Sequence, residues 1–296
     1  MIDAALPYLR CPVCEDTLTR PDARTLRCGR GHAFDIARQG YASLSAGRVA
    51  HPGDSAEMVA ARDAFLAAGH YAFIAEALAA AADPADGLAI DAGVGTGYYL
   101  AHLLDQRPSL AGLGLDVSKP ALRRAARAHP RAAAAFADLW RPLPLADASA
   151  SLVLNVFAPR NGPEFRRVLR PGGALLVVTP AAGHLRELID AYGLLRVDPD
   201  KADRTSGSLG PHFAAGPTTT HQRLIRLTGD EVRTLIGMTP SARHLAPGGL
   251  PKKADPPKDS LPKKDGLRDD SLPRNGLRDD EVQVTVAIDL TVYRPV

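Results

Sequence analysis

The amino-acid sequence predicts an α/β fold in which a Rossmann-like parallel sheet follows a small metal-binding module. From residue 88 onward, short apolar strands alternate with amphipathic helices, which is the pattern that βαβ units produce. A glycine-rich turn follows the first of these strands. All three cysteines of the 296-residue chain lie within its first 28 residues, ahead of the alternating pattern.

The composition is that of a globular protein, with 45% hydrophobic and 23% charged residues. No uninterrupted apolar run is long enough to span a bilayer, and residues 1–10 lack the basic start and apolar centre of a signal peptide. We therefore expect a cytoplasmic protein without a membrane partner. The net charge of +3 permits an RNA partner but does not indicate one, and monomer and homodimer both stay open.

Residues 1–50 are predicted to form a small zinc-binding module. The segment is too short to build a sizeable apolar core, so a bound metal is the expected source of its stability. Cys11-x2-Cys14 is followed, after thirteen residues, by Cys28-x3-His32, and thiolates and imidazole are ligands that zinc prefers. Four protein ligands leave no open position, so the predicted zinc is structural. The alternative, a reduced thiol cluster beside an unrelated histidine, does not explain why every cysteine stands at ligand spacing.

A helical connector is predicted over residues 51–85, ahead of a larger domain over residues 86–296. Ser55 is a suitable N-cap for a first helix, and Gly69 is expected to end it. An Ala-rich helix over residues 71–82 follows.

In the larger domain, apolar runs predict the strands and amphipathic runs predict the helices between them. Strands are expected at residues 88–93, 110–118, 133–139, 151–159, 172–180, 218–227 and 281–296. Helices are expected at residues 95–104, 119–129, 163–169, 184–195 and 228–236.

Residues 246–281 interrupt this pattern with an imperfect short repeat. LPKK, DSLP and GLRDD each occur twice, and the segment has almost no apolar content. Such a composition cannot bury enough apolar surface to fold, so we expect a disordered or loosely held insertion.

The strongest catalytic signal is the glycine loop that joins the first strand to its helix. It reads Asp91-Ala-Gly93-Val-Gly95-Thr96-Gly97, and its glycines let the backbone pass close to a ligand at a helix N-terminus. A dinucleotide fingerprint would place its third glycine at position 98, where this sequence has tyrosine. The loop is typical of class I methyltransferases, which bind S-adenosylmethionine. The alternative is a glycine turn in another doubly wound protein.

Two further carboxylates stand near the ends of the next two strands. Asp116 ends the second strand, 19 residues after Gly97, where a carboxylate can accept both ribose hydroxyls of the cofactor. Asp138 is predicted to end the third strand, within reach of the adenine edge. Because strand, glycines and second-strand acid occur together, the methyltransferase interpretation is favoured.

Several segments together resemble the RlmA/TlrB family of 23S rRNA (guanine-N1)-methyltransferases. They are the Cys/His segment at 11–44, HPGDSAEMVAARDAFLAAGHY at 51–71, DAGVGTGYYL at 91–100, LGLDVSKPA at 113–121, NVFAPRN at 155–161, LRPGGALLVVTP at 169–180 and GMTPSARH at 237–244. The resemblance covers about residues 8–245 and the closing strand. It departs from the family at residues 246–281, where the family usually carries an ordinary folded segment.

The resemblance implies a class I methyltransferase fold with a zinc ribbon, with S-adenosylmethionine and Zn²⁺ as cofactors and 23S rRNA as partner. It implies that Tyr71 and His184 contact the cofactor together with Gly95 and Thr96, and that the same four residues bind zinc. Without it, Tyr71 would be interpreted as a core aromatic and His184 as a surface histidine at a helix start.

The NVFAPRN version of its motif resembles the TlrB branch. That branch methylates guanine-748 in a domain II hairpin of 23S rRNA at the peptide exit tunnel and confers tylosin-type macrolide resistance. A housekeeping enzyme of the guanine-745 class and a small-molecule methyltransferase of antibiotic biosynthesis are the enzymatic alternatives. The zinc module argues against the latter, because a small substrate needs no RNA-reading domain. A zinc-ribbon nucleic-acid binder with a relic Rossmann-like domain is a non-enzymatic alternative, against which the intact glycine loop argues.

The chemistry on guanine leaves the catalytic base unassigned. Guanine N1 carries a proton at neutral pH and must lose it, and a paired guanine must be extruded before N1 is reached. The aromatic candidates for stacking on the base are Tyr98, Tyr99, Trp140 and Phe157, although such residues are more often part of a core. Phosphate contacts are expected from the module's arginines, Arg10, Arg20, Arg24, Arg27, Arg30 and Arg38.

Overall fold

A computed structural model describes residues 2–49, 52–82, 86–192, 194, 207–239 and 281–296. The repeat predicted at residues 246–281 lies outside the described residues, apart from Glu281.

The N-terminal segment contains a short helix and a small antiparallel sheet. Helix α1 covers Ile2–Ala5, and strands β1 (Leu18–Asp22), β2 (Thr25–Cys28) and β3 (Ala33–Asp35) pair in that order. The two-residue strand β4 (Ala42–Ser43) joins the large sheet of the following domain instead.

Two helices connect the N-terminal segment to the large sheet, as predicted. Helix α2 covers Ala56–Ala67 and begins at Ser55, whose side chain accepts a hydrogen bond from the Met58 backbone N–H. Gly69, with φ of 82°, turns the chain into α3 (Ala72–Ala81). Among the described residues, no single helix has the length and hydropathy of a membrane span, and α2 and α3 reach them only as a pair bent by 78°.

The large sheet has the strand order β10-β11-β9-β8-β5-β6-β7-β4. Its further strands are β5 (Gly87–Ala92), β6 (Leu110–Asp116), β7 (Ala132–Phe136), β8 (Ala150–Val156), β9 (Leu169–Pro180), β10 (Phe213–Thr228) and β11 (Glu281–Pro295). The remaining helices are α4 (Tyr98–Gln106), α5 (Lys119–Ala125), α6 (Gly162–Val168), α7 (Arg186–Tyr192) and α8 (Gly229–Gly237).

The sheet is mixed, so the prediction of a parallel sheet is wrong at one edge. Strands β4 to β9 pair in parallel wherever they are neighbours, whereas β11 runs antiparallel to both β9 and β10. Alternation of apolar and polar residues has the same period in both kinds of strand, so it does not reveal strand direction. Two boundaries also differ: α5 ends at Ala125, before the predicted residue 129, and β7 ends two residues before Asp138.

The N-terminal segment covers part of one face of the large sheet. Helix α1 packs against β6 and β7, and one apolar cluster contains both Leu26 and Phe34 of the segment and Leu113 and Ala133 of the sheet. β4 pairs in parallel with β7, and residues 137–149 between β7 and β8 contain no helix. Helices α2 to α5, α7 and α8 contribute to the cluster on the opposite face. The domain boundary at residue 50 stays a prediction, but backbone pairing and a shared core cross it.

Candidate cofactor and zinc sites

The four predicted zinc ligands lie together in the folded chain. One donor atom from each of Cys11, Cys14, Cys28 and His32 falls within a set whose members are all within 4.8 Å of one another. The Cys14 and Cys28 sulfurs are 3.7 Å apart, and the His32 Nδ1 lies 3.6 Å from the Cys11 sulfur and 3.4 Å from the Cys28 sulfur. Zinc–sulfur bonds of about 2.3 Å in a tetrahedron separate neighbouring ligand atoms by roughly 3.8 Å. The donor set and its spacing therefore fit a structural Zn²⁺.

Local turns present these ligands. The Glu15 N–H donates to the Cys11 carbonyl at 2.8 Å, and Glu15 takes a left-handed conformation with φ of 62°. In the second turn the Gly31 N–H donates to the Cys28 carbonyl at 3.0 Å, with φ of 88° at Gly31. Each turn brings its two ligands to the same side, so the site depends on local sequence.

The glycine loop lies between β5 and α4 and packs tightly against two neighbouring segments. Gly93, Gly95 and Gly97 all have positive φ, at 91°, 54° and 88°. A Cβ on Gly93 would lie 2.4 Å from the Ala158 Cβ, and one on Gly97 would lie 2.7 Å from the Ala128 Cβ. Both glycines are therefore required by conformation and by space.

Asp116 holds the glycine loop from the end of β6. Its Oδ2 accepts a hydrogen bond from the Gly95 N–H at 2.9 Å, and its Oδ1 accepts one from the Ser118 N–H at 2.8 Å. Burial raises the pKa of Asp116 in spite of these two hydrogen bonds. Each carboxylate oxygen retains a second lone pair, so the predicted contact with ribose hydroxyls is compatible with this role.

Asp91 is a buried carboxyl group with an unused oxygen. The residue is 1% exposed, and within the described parts of the chain its Oδ2 has no hydrogen-bond partner. Burial, together with the nearby Asp116, raises the pKa of Asp91 to about 8. A buried carboxyl oxygen without a partner is costly unless a ligand supplies a donor or positive charge. The amino group and sulfonium of S-adenosylmethionine would supply both, so the loop fits this cofactor.

The other predicted cofactor residues lie at or beside this loop. Thr96 is buried within it, and Tyr71 is buried in the turn before α3. Burial and the neighbouring Tyr71 raise the pKa of Tyr99, which also interacts with Asp91, so Tyr71 shares the region of Asp91. Asp138 closes a turn after β7, where its Oδ1 accepts a hydrogen bond from the Trp140 N–H at 3.0 Å.

His184 lies on the other side of the turn that follows β8. Its ring is 6.1 Å from the Phe157 ring, and its Nδ1 accepts a hydrogen bond from the Ala287 N–H at 3.3 Å. Phe157 is followed by Ala158, which touches Gly93, so this turn separates His184 from the glycine loop. His184 is buried rather than at the surface, which corrects the interpretation that the sequence alone favours.

Two residues that position this region have no clear signal in the sequence. Asn155 is fully buried, and its Nδ2 donates to the Ala92 carbonyl at 3.3 Å and the Pro159 carbonyl at 2.8 Å. It thereby ties the turn after β8 to the glycine loop. Arg62 of α2 lies against Gly95. Its distance in sequence from the loop hides the contact, and an arginine on a helix is ordinarily a solvated residue.

Two sequence profiles match the chain at these two sites. Residues 9–45, which contain the zinc ligands, match the profile described as RlmA, N-terminal. Residues 89–173, which contain the glycine loop and Asp116, match a profile described as a methyltransferase domain.

Relatives match nearly the whole chain. A protein of Streptomyces fradiae named 23S rRNA (guanine(748)-N(1))-methyltransferase is 50% identical over 251 residues, which are 83% of this chain and 89% of that protein. A protein of Micromonospora griseorubida, provisionally named 23S rRNA (guanine-N(1)-)-methyltransferase, is 52% identical over 311 residues, 98% of each chain. The chain belongs to the RlmA/TlrB family of 23S rRNA (guanine-N1)-methyltransferases. The solved structure of the YcgJ protein of Bacillus subtilis aligns with a TM-score of 0.46 and 17% identity over 74% of this chain and 96% of its own.

As a member of the RlmA/TlrB family, the chain is a methyltransferase that uses S-adenosylmethionine and carries a zinc ribbon. The sequence-based predictions of fold class, enzyme class and both cofactors are therefore confirmed. The individual cofactor-binding and zinc-binding residues stay predictions, which the geometry above supports.

We expect this RlmA/TlrB enzyme to bind S-adenosylmethionine more tightly as the pH rises toward 8. Below the Asp91 pKa of about 8 the carboxyl group is neutral, and the positively charged cofactor favours its ionised form. Binding then releases a proton, so affinity should fall by up to about tenfold per pH unit below the pKa. Calorimetry in two buffers of different ionisation enthalpy measures both the affinity and the proton release.

Asp91→Asn should flatten this pH dependence. Asp147→Asn is a suitable control, because Asp147 is an exposed carboxylate paired with Arg167. An affinity of the wild-type enzyme that does not change over this pH range would contradict the role given to Asp91.

Proposed function

We propose that this chain transfers a methyl group from S-adenosylmethionine to N1 of a guanine in 23S rRNA, of the guanine-748 class, and confers tylosin-type macrolide resistance. The observation that carries the proposal is 50% identity, over 83% of the chain, to the Streptomyces fradiae enzyme named for guanine 748. The guanine-745 class remains the alternative within the same family, since both classes methylate the same ring atom.

The proposed cofactor site lies at the carboxyl ends of β5 and β6. Gly93, Gly95 and Gly97 allow the cofactor to approach the backbone, Asp116 meets the ribose hydroxyls and Asp91 meets the positive charge. Tyr71, Thr96, Asp138 and His184 complete the proposed contacts. S-adenosylmethionine supplies a methyl group on a sulfonium, and transfer is an in-line displacement, so the protein's main task is to position the two reactants.

The target guanine is proposed to stack on Phe157. Of the four aromatic candidates, Tyr99 is buried in the region of Asp91 and Tyr71, whereas Phe157 is 38% exposed and Trp140 is 58% exposed. Phe157 has φ of 53°, a conformation that is strained for an aromatic residue. Its direct neighbour touches Gly93, so Phe157 is the exposed aromatic that stands beside the cofactor loop.

His184 is not suited to be the base that removes the N1 proton. Its Nδ1 accepts a hydrogen bond from the Ala287 N–H, so the neutral ring carries its proton on Nε2. We propose that it acts as a hydrogen-bond donor beside the cofactor and the base.

RNA phosphates are proposed to contact the exposed arginines of the N-terminal segment. Arg20 pairs with Asp3 and Arg30 with Asp16, so these two are partly neutralised. The side chains of Arg24, Arg27 and Arg38 are exposed and make no hydrogen bond or ion pair within the described residues. Arg24 and Arg38 line one open groove, so they are the better candidates for phosphate contact.

Mapping of methylated nucleotides tests the proposed function. The 23S rRNA of a macrolide-sensitive host that expresses the chain should gain one methyl group on guanine 748, detected by mass spectrometry, together with resistance to tylosin. The same host with the Asp91→Asn variant is the control. Methylation of guanine 745 would assign the housekeeping class, and unmodified rRNA together with full activity on a small molecule would overturn the substrate class.

A further inference from the structure

Arg62 lies directly on the glycine loop. A Cβ built on Gly95 would meet the Arg62 Cδ and Nη1 atoms at 3.7 Å each, so the arginine side chain is in van der Waals range of the loop backbone. Gly95 is also the residue whose N–H donates to Asp116. The guanidinium therefore stands above the loop on which the cofactor is proposed to lie.

Contacts from two other segments fix this position. The Arg62 guanidinium forms an ion pair with Asp54 and donates from Nη2 to the Met238 carbonyl at 2.9 Å. Asp54 is itself held, because its carbonyl accepts a hydrogen bond from the Ser118 Oγ at 2.8 Å. A Cβ on the adjacent Gly53 would lie 2.7 Å from the Ser118 backbone, so the segment crosses closely over the turn after β6.

Arg62 still has donors to offer. A guanidinium carries five N–H groups, and the contacts with Asp54 and Met238 use two of its nitrogens. Its side chain is 26% exposed, so it is neither fully buried nor fully solvated.

The surrounding charges leave Arg62 a specific task. Asp54, Asp91 and Asp116 are close enough that Asp116 raises the pKa of Asp91 and Asp54 raises that of Asp116, while Arg62 opposes the latter effect. These carboxylates suit the amino group and sulfonium of the cofactor but would repel its carboxylate. A guanidinium binds a carboxylate through two parallel hydrogen bonds, the strongest pairing available between such groups.

We propose that Arg62 binds the carboxylate of the methionine part of S-adenosylmethionine and thereby makes the enzyme selective for cofactors that carry it. The inference rests on the proposed cofactor site and adds a residue to it. Asp54 and Met238 hold the guanidinium in place before the cofactor arrives.

The test compares two ligands that differ only in the carboxylate. S-adenosylhomocysteine carries it, and S-adenosyl-3-thiopropylamine lacks it. The wild-type enzyme should bind the former tighter by roughly 10- to 100-fold, the range expected for a charged hydrogen-bonded pair. Arg62→Gln should bring this ratio close to one, and Arg62→Lys should retain part of it. Calorimetry of both ligands with each variant gives the ratios.

Arg124→Ala is the matched control. Arg124 also forms an ion pair with a residue of α2, Asp63, at 3.0 Å, but it does not lie on Gly95. This variant should keep the wild-type ratio. If Arg62→Gln weakens both ligands by the same factor, or if the wild-type enzyme shows no preference, Arg62 is only a structural strap and the proposal is overturned. A preserved preference in an enzyme that leaves 23S rRNA unmethylated would instead overturn the proposed substrate.

Discussion

Replacing Cys14 with serine is expected to remove the zinc and to destabilise the whole enzyme rather than its first 49 residues alone. Structural zinc contributes about 10–16 kcal/mol of apparent binding free energy to small metal modules. The sequence alone predicts that residues 1–45 would unfold while the larger domain is spared. The structure changes that expectation, because Leu26 and Phe34 share an apolar cluster with Leu113 and Ala133 of the large sheet.

Loss of the metal should therefore expose one face of β6 and β7. Calorimetric unfolding of Cys14→Ser should show a lower midpoint for the entire chain, and metal analysis should find no zinc. Val13→Ser is the control, since Val13 lies between the two ligands of the first turn and its side chain is 54% exposed. A zinc-free variant whose larger domain unfolds at the wild-type temperature would show that the shared cluster contributes little.

Gly93→Ala is expected to weaken S-adenosylmethionine binding by at least about tenfold. A residue with a side chain at φ of 91° costs on the order of 1–3 kcal/mol. The added methyl group would also lie 2.4 Å from the Ala158 Cβ, so the turn that carries Phe157 must move away from the loop. Both effects act at the proposed cofactor site, and calorimetric titration measures the loss.

Gly172→Ala separates the two effects. Gly172 has a similar φ of 77°, but a Cβ there would meet nothing within 4 Å. That variant should lose some stability while cofactor affinity stays at the wild-type value. Equal cofactor affinity in Gly93→Ala and the wild-type enzyme would show that the contact between Gly93 and Ala158 is not needed for binding.

The features predicted best from sequence are those encoded by neighbouring residues. Cys11 and Cys14 share one turn, Cys28 and His32 share another, and the glycine loop is a single run of seven residues. Spacing within a turn is nearly a statement of geometry, so these sites could be assigned before the fold.

Features that depend on distant parts of the chain were not accessible in this way. β4 has only two residues, too few for any periodicity, and its pairing with β7 spans some 90 positions. Arg62 meets Gly95 only because α2 crosses the loop. Tyr71 and His184 were proposed as cofactor contacts from the family resemblance alone, since a buried tyrosine and a histidine near a helix start carry no signal of their own.

The pairing of β4 with β7 has a consequence for the order of events during synthesis. The four zinc ligands have all left the ribosome soon after residue 32 is made, so the metal can bind early and close its two turns. Ala42 and Ser43 find their strand partners only after Phe136 has emerged, and until then the apolar side of the ribbon is uncovered. A nascent chain of this enzyme therefore carries a finished metal site on an unfinished core, an interval in which chaperone binding protects it from association with other chains.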